Sequence, residues 1–229
     1  YQVRKKEQEL EMRANIERAK VDERERVRKN TAADFHDDLG NKMTKISLFV
    51  ELAKRNAAEK DQLFRYLDQV GDQTRNLSEG MRDFLWVLDP EKDTLSDTLG
   101  RLADFGEQLF DLTDTAFYLH GLHADLEKII LPLNQRRHLV LILKEGMHNV
   151  VKYAAASRVD LLVKIDDERA ELQLIDNGKG FDLSAESQGY GLKNMKARAE
   201  KMGGELEIFS EFHQGTKLYL RFDLPHMGD

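Results

Sequence analysis

Not one of the 229 residues is cysteine. That excludes disulfides, zinc–thiolate centres and thiol nucleophiles at once, and it suits a reducing compartment. A basic excess is missing as well. Aspartate and glutamate number 42 against 35 lysines and arginines, a formal net charge of −7. Nucleic-acid binders carry a basic face, so no nucleic-acid partner is expected. No run approaches the roughly 20 apolar residues that span a bilayer, and no signal peptide or low-complexity tract is visible. Charge is what the chain has, at 34%, with a hydrophobic share of 41% and a mean hydropathy of −0.59. Such a chain is rich in surface helix and long enough for two small domains. It opens on Tyr1 rather than Met. That reads as a fragment or processed form, whose missing part could hold a membrane-spanning sensor.

Residues 1–28 read as a charged helix. Both signs interleave from residue 4 to 29 without Gly or Pro, and Leu10, Ile16, Val21 and Val27 stand at irregular helical intervals. This is an exposed helix or an interrupted coiled coil. It is either an idle solvated surface or a shaft that carries strain into the next segment. From Phe35 the pattern tightens. Phe35, Leu39, Lys42, Ile46, Phe49 and Ala53 alternate steps of four and three, broken only by Lys42. After a polar turn near 56–61, Leu63, Leu67, Val70, Thr74, Leu77, Met81, Phe84 and Leu88 repeat the alternation. Sustained 4-3 spacing makes a left-handed seam. Two such helices form an antiparallel hairpin, and two hairpins cover each other as a four-helix bundle, so a homodimer is expected. Asp89-Pro90 ends the second helix, closing a domain over 29–90. Beyond it, helices are expected over 99–112, 134–153 and 193–202, and strands over 159–165, 170–175, 205–210 and 216–222. That order predicts a two-layer α/β sandwich over 95–229.

Five stretches could carry chemistry. His36 follows the seam residue Phe35, so about 100° of helical rotation moves it to the flank of the bundle, within reach of another domain. Asp37 lies beside it, and Asn41 one turn beyond Asp37. A nucleophilic histidine needs a free ring nitrogen and a base or orienter for its proton. Asp37 suits that part, and Asn41 suits holding a water in line with a phosphoryl group on a docked partner. The pair also suits an ordinary helix surface. Further on, Glu145, Asn149, Lys152 and Tyr153 fall near one helix face. A carboxylate and an amide one turn apart can hold Mg²⁺ through oxygen and its waters, and Lys152 could meet phosphate as a point charge. An amphipathic helix with incidental polar residues reads the same way. Asp176-Asn177-Gly178-Lys179-Gly180 follows a strand, and its glycines allow close approach of backbone to a ligand. Asp176 can accept a hydrogen bond from an adenine amino group. Gly189-Tyr190-Gly191-Leu192 opens a helix whose free N–H groups suit phosphate, and Gly215-Thr216 adds a close-approach glycine and a hydroxyl. His120 and His123 belong to no cluster that completes a metal site.

The four stretches from Glu145 onward, in this order, resemble the ATP-binding domain shared by gyrase, Hsp90, MutL and the histidine kinases. Glu145…Asn149 is similar to its N box, Asp176-x-Gly178-x-Gly180 to its first glycine box, Gly189-x-Gly191 to the second and Gly215-Thr216 to the last. The resemblance implies ATP with Asp176 on adenine, Mg²⁺ held by Asn149 and Glu145, and a short lid between Phe181 and Gly189. Glu23-Arg24-Glu25-Arg26, His36-Asp37 and the heptad hairpin likewise resemble the dimerisation and phosphoacceptor domain of a sensor histidine kinase. The closest subfamily reads His-Asp-x-x-x-Gln, which implies His36 as phosphoacceptor and Asp37 as base. Asn41 stands where that subfamily has the glutamine that supports phosphatase activity. The resemblance therefore implies ATP-dependent autophosphorylation on His36 and transfer to the receiver domain of a response regulator. The chain would be the cytoplasmic portion of a membrane-anchored sensor. A clamp-like ATPase of the same fold, or a pseudokinase scaffold, are the alternatives.

Overall fold

The computed structural model describes residues 2–89, 91–166, 168–183 and 190–225. They form two compact units, Tyr1–Leu88 and Asp89–Asp229. Among the described residues no helix is long and apolar enough to cross a membrane.

The first unit is a helical hairpin. Helix α1 (Gln2–Arg55) runs 54 residues without a break, about 80 Å at 1.5 Å per residue. The charged segment expected over 1–28 is thus continuous with the helix that carries His36. The last turn of α1 closes on Asn56, whose side-chain amide donates to the Leu52 carbonyl at 2.8 Å. Helix α2 (Lys60–Val87) then returns, and Phe35 stacks on Phe84 with ring centroids 4.0 Å apart. Phe35, Leu39, Lys42, Ile46 and Phe49 are half-buried and Ala53 is buried, so the seam on α1 is the expected one. Lys42 is accommodated because α2 has Gly80 opposite, where a Cβ would sit 3.4 Å from its Nζ.

On α2 the seam differs from expectation. Leu67, Thr74 and Met81 are exposed, while Tyr66, Gln73 and Gly80 are half-buried beside Leu63, Val70, Leu77 and Phe84. A 4-3 repeat read from 63, 70, 77 and 84 is satisfied by the residue on either side of each gap. Helix α2 carries both stripes. One faces α1, and the other runs Phe64, Leu67, Gly71, Thr74, Ser78, Met81, Leu85, with its four large apolar members exposed.

The second unit is a five-stranded sheet with helices on one face. Its strands are β1 (Ala116–His120), β2 (Arg158–Ile165), β3 (Arg169–Asp176), β4 (Gly204–Glu211) and β5 (Gly215–Asp223). Their order is β1-β2-β3-β5-β4, with β1 parallel to β2 and the remaining pairs antiparallel. Alternation decides which face is covered. Val159, Leu161 and Val163, then Ala170, Leu172 and Leu174, then Leu218, Leu220 and Phe222 point inward and are buried. Helices α3 (Leu95–Phe110), α4 (Leu133–Asn149) and α5 (Tyr190–Lys201) cover them with Leu99, Leu102, Leu139, Ile142, Leu143, Met147, Met195 and Ala199. Each of the leucine, isoleucine and methionine side chains contributes about 1.5–3 kcal/mol on burial. The other face is mostly polar, and Arg221 bridges Glu171 and Glu207 at 2.6 and 2.8 Å.

Helix α3 starts four residues before its expected position, because Thr94 and Asp97 form a capping box. Strand β1 was not expected. It is a five-residue edge strand whose partner lies about forty residues on, and no local turn announces a parallel pairing. Helix α5 stops at Gly203, as expected, with φ +76°.

Candidate active site

Helix α4 lies against β3 and presents Glu145 and Asn149 to a cavity of about 660 Å³. After Asn149 the helix loosens into a π-turn, Val150–Ala154, that ends on Ala155 with φ 49°. The extra backbone per turn shifts Lys152 and Tyr153, which lie within it. Tyr153 lines the cavity, whereas Lys152 is exposed and does not. The Lys152 ammonium lies 5.2 Å from the Tyr153 ring centroid instead. The i+3 and i+4 spacing that placed both on one face holds only for an unbroken α-helix.

Asp176 closes β3 and is 5% exposed. In the register it stands opposite Thr216 of β5. The Gly178 N–H donates to its Oδ1 at 2.8 Å. Burial pushes the Asp176 carboxyl up, and hydrogen bonds from Gly178 and Thr216 pull part of the way back. A buried carboxylate with acceptor capacity to spare is suited to a donor brought by a ligand.

The glycines serve this arrangement differently from expectation. Their close neighbours are the protein's own chain. Gly180 (φ +60°) and Gly215 (φ +76°) need the left-handed region, and Cβ atoms there would fall on the carbonyls of Glu211 and Asp176. Gly178 lies against Ala154 in the same way. Neither Gly178 nor Gly215 lines the cavity, but Gly180 does. Gly191, in the first turn of α5, approaches Glu145 and Asn149 and lines the cavity with Leu192. Gly189 lies outside the described residues.

Between these walls runs Lys179. Its N–H donates to Ala154 O at 2.8 Å, and its carbonyl accepts from His213 N at 2.7 Å. One residue thus ties the end of the π-turn to the β4–β5 turn. Asn177 fixes the same loop to β2, accepting from Ser157 N and Arg158 N at 3.0 and 2.9 Å. Ser210 accepts from Phe181 N at 2.9 Å and lies 3.1 Å from the Thr216 hydroxyl. Lys179, Met195, Ile208 and Phe212 line the cavity and were not singled out in the sequence, and Phe181 and Asp182, at the start of the segment expected as a lid, line it too. Only Lys179, inside the glycine motif, carried a local signal.

The donor set fits a nucleotide with a metal. Leu174, Ile208, Leu218, Leu192 and Met195 supply apolar walls, Asp176 a buried acceptor, and Glu145 with Asn149 a carboxylate and an amide beside the start of α5. Among the described residues no group of three or more His, Cys, Asp or Glu could hold a metal. An ion there needs phosphate oxygens or waters to complete its shell, as Mg²⁺ on a nucleotide has.

In the first unit His36 is exposed on α1, one residue from the packed Phe35, and Asn41 is also exposed. His36 is thus an exposed residue beside a packed one of the hairpin. The Asp37 side chain lies outside the described residues. His120 pairs with Asp160 at 2.8 Å across β1 and β2, so it belongs to the sheet edge.

Residues 25–93 match the family model of the histidine kinases, and residues 134–226 that of the histidine kinase-, DNA gyrase B- and HSP90-like ATPases. The signal transduction histidine-protein kinase/phosphatase UhpB of Salmonella typhimurium is 32% identical over 80% of this chain and 36% of its own length. Sensor histidine kinase LiaS of Bacillus subtilis is 24% identical over 85% of this chain and 53% of its own. The chain therefore spans between a third and a little over half of these relatives. Among solved structures, the histidine kinase domain of the Erythrobacter litoralis EL346 blue-light activated kinase superposes with a TM-score of 0.53. It covers 79% of this chain and 95% of that one at 14% identity. Acinetobacter baumannii AdeS gives 0.55, covering 80% and 96% at 14% identity. At such identity the likeness is one of fold.

Proposed function

This chain belongs to the histidine kinases, and from that premise we propose that it phosphorylates itself on His36 with ATP and passes the phosphoryl group to a response-regulator aspartate. Residues 95–229 act as the ATP-binding catalytic domain and 29–90 as the dimerisation and phosphoacceptor domain, with 1–28 carrying the input. Asp176 receives the adenine amino group. Glu145 and Asn149 would hold Mg²⁺, whose chemistry there would be to neutralise the charge of the nucleotide phosphates. Lys179, which lines the cavity, replaces Lys152 as the cation nearest the nucleotide.

His36 attacks the γ-phosphorus through a ring nitrogen. The N–P bond forms as the bond to the β-phosphate oxygen breaks, ADP leaves, and Asp37 orients the ring and takes its proton. Little covalent chemistry falls to the protein, so the rate rests on positioning and charge. The receiver aspartate then accepts the phosphoryl group from the imidazole. Asn41 orients the water that hydrolyses the phosphorylated regulator. Two chains pair through the exposed stripe of α2, whose Phe64, Leu67, Met81 and Leu85 need cover. The chain works as the cytoplasmic portion of a membrane-anchored sensor.

The observation that carries this reading is the buried Asp176 in a cavity that also holds Glu145 and Asn149. Incubation with γ-labelled ATP tests it. Acid-labile, base-stable label is expected on the wild type and none on His36→Gln. Label that persists in the variant removes His36 from the mechanism. Turnover of ATP without any label on protein would favour a clamp-like ATPase.

A further inference from the structure

Phe212 is 64% exposed yet lines the cavity. It sits in the β4–β5 turn, and the turn is pinned. The His213 N–H donates to Lys179 O at 2.7 Å, Gln214 N donates to Glu211 O at 3.1 Å, and the Gln214 amide donates to the Glu211 carboxylate at 2.6 Å. His213 itself holds φ +64°. A non-glycine residue there is held by its surroundings at a cost, and such outliers gather at ligand sites. A large aromatic left in solvent on a loose tip would say little. On a turn fixed at this many points it has a set position.

Phe209, three residues earlier, gives the contrast. It faces the opposite side of β4 and is matched by an edge-on Tyr219 at 5.6 Å. No ring partner of that kind accompanies Phe212 among the described residues. Two aromatics border the Lys179 strap. Tyr153 precedes Ala154, which accepts from Lys179 N, and Phe212 precedes His213, which donates to Lys179 O. Gly180, next along the strap, lies against Glu211. The strap therefore brings the Phe212 turn to the loop that begins at Asp176, the acceptor assigned to the base.

We propose that Phe212 stacks on the base of the bound nucleotide, forming an aromatic wall on the sheet side of the site. This rests on the nucleotide reading of the cavity given above. A base has a flat apolar face and a polar edge. Asp176 answers the edge, and the ring of Phe212 answers the face. The wall makes the site select for a planar base and leaves the phosphates to other residues.

Two probes separate base from phosphate: ATP and sodium tripolyphosphate, each with Mg²⁺, bound to the full chain and followed by calorimetry. Phe212→Ala is expected to weaken ATP about tenfold, as loss of one base–aromatic stack does, and to leave tripolyphosphate unchanged. Phe212→Trp should keep ATP affinity, and its added indole fluorescence, corrected for Trp86, should be quenched by ATP but not by tripolyphosphate. Equal ATP affinity in wild type and Phe212→Ala overturns the proposal. So does a parallel loss of both ligands, which would mean a collapsed turn. A wild type that binds neither probe overturns the nucleotide reading, and this inference with it.

Discussion

A Cβ at Gly191 would stand 2.5 Å from Glu145 Oε1 and 3.8 Å from Asn149 Nδ2. The first turn of α5 thus lies close against the Glu145 carboxylate and the Asn149 side-chain amide of α4. Gly191→Ala should push the Glu145 carboxylate aside. Its atoms are the far end of a flexible side chain, so the fold should lose no more than about 1 kcal/mol. Nucleotide binding with Mg²⁺ should fall by about tenfold. Calorimetry with and without Mg²⁺ checks this, and an equal effect in both would detach Glu145 from the metal.

Asp176 gives a pH signature. Its folded pKa is raised by burial, so its contribution to stability is present in acid and lost as pH rises through that raised value. At neutral pH the ionised group costs stability. Asp176→Asn should therefore leave the melting temperature at pH 7 unchanged or higher, while ATP binding drops at least about tenfold. In the wild type, ATP affinity should weaken on acidification as the acceptor becomes protonated. The asparagine variant should lose that slope.

Arg136 lies buried on α4 and donates to the carbonyls of Asp89, at 3.1 Å, and Lys92. Burial lowers its pKa, and the nearby carboxylates of Asp93, Asp89 and Asp97 raise it part of the way back. Arg136→Met should leave two carbonyls without their donor, at about 1–3 kcal/mol. Scanning calorimetry should show the loss. Limited proteolysis should cut faster near residues 89–92. Arg136→Lys should rescue poorly, because a point charge cannot reproduce the planar fork.

The exposed stripe of α2 predicts the oligomeric state. Phe64→Asp with Leu85→Asp puts a charge near each end of it, both at exposed positions. Helicity by circular dichroism should hold, while sedimentation should shift from dimer to monomer at micromolar concentration. A double variant that stays dimeric would place the contact elsewhere.

Much of this was legible in the sequence because local periods carry it. The α1 seam and four of the five strands could be read from spacing. What escaped was set by tertiary context. Leu67 and Met81 looked like seam residues because a 4-3 repeat has two readings about one shared column, and only packing against α1 selects between them. Strand β1 depends on a distant parallel partner. Lys152 left the cavity because a π-turn inserts backbone that no side chain announces. Gly178 and Gly215 were assigned to ligand, yet their tightness serves contacts with Ala154 and Asp176. Phe212 drew no notice because a lone aromatic in a turn has no period.

From Gln2 to His36 the helix contains neither glycine nor proline, the usual causes of a kink. The angular phase of His36 about the axis is therefore locked to whatever grips the start of α1. Each residue inserted ahead of it turns the imidazole by about 100°. Three or four added residues bring it back near its own face, seven return it within about 20°, and two or five swing it toward the opposite side. Activity plotted against insert length should oscillate with the helical repeat. A flat plot would mean that the grip slips or that the rod bends.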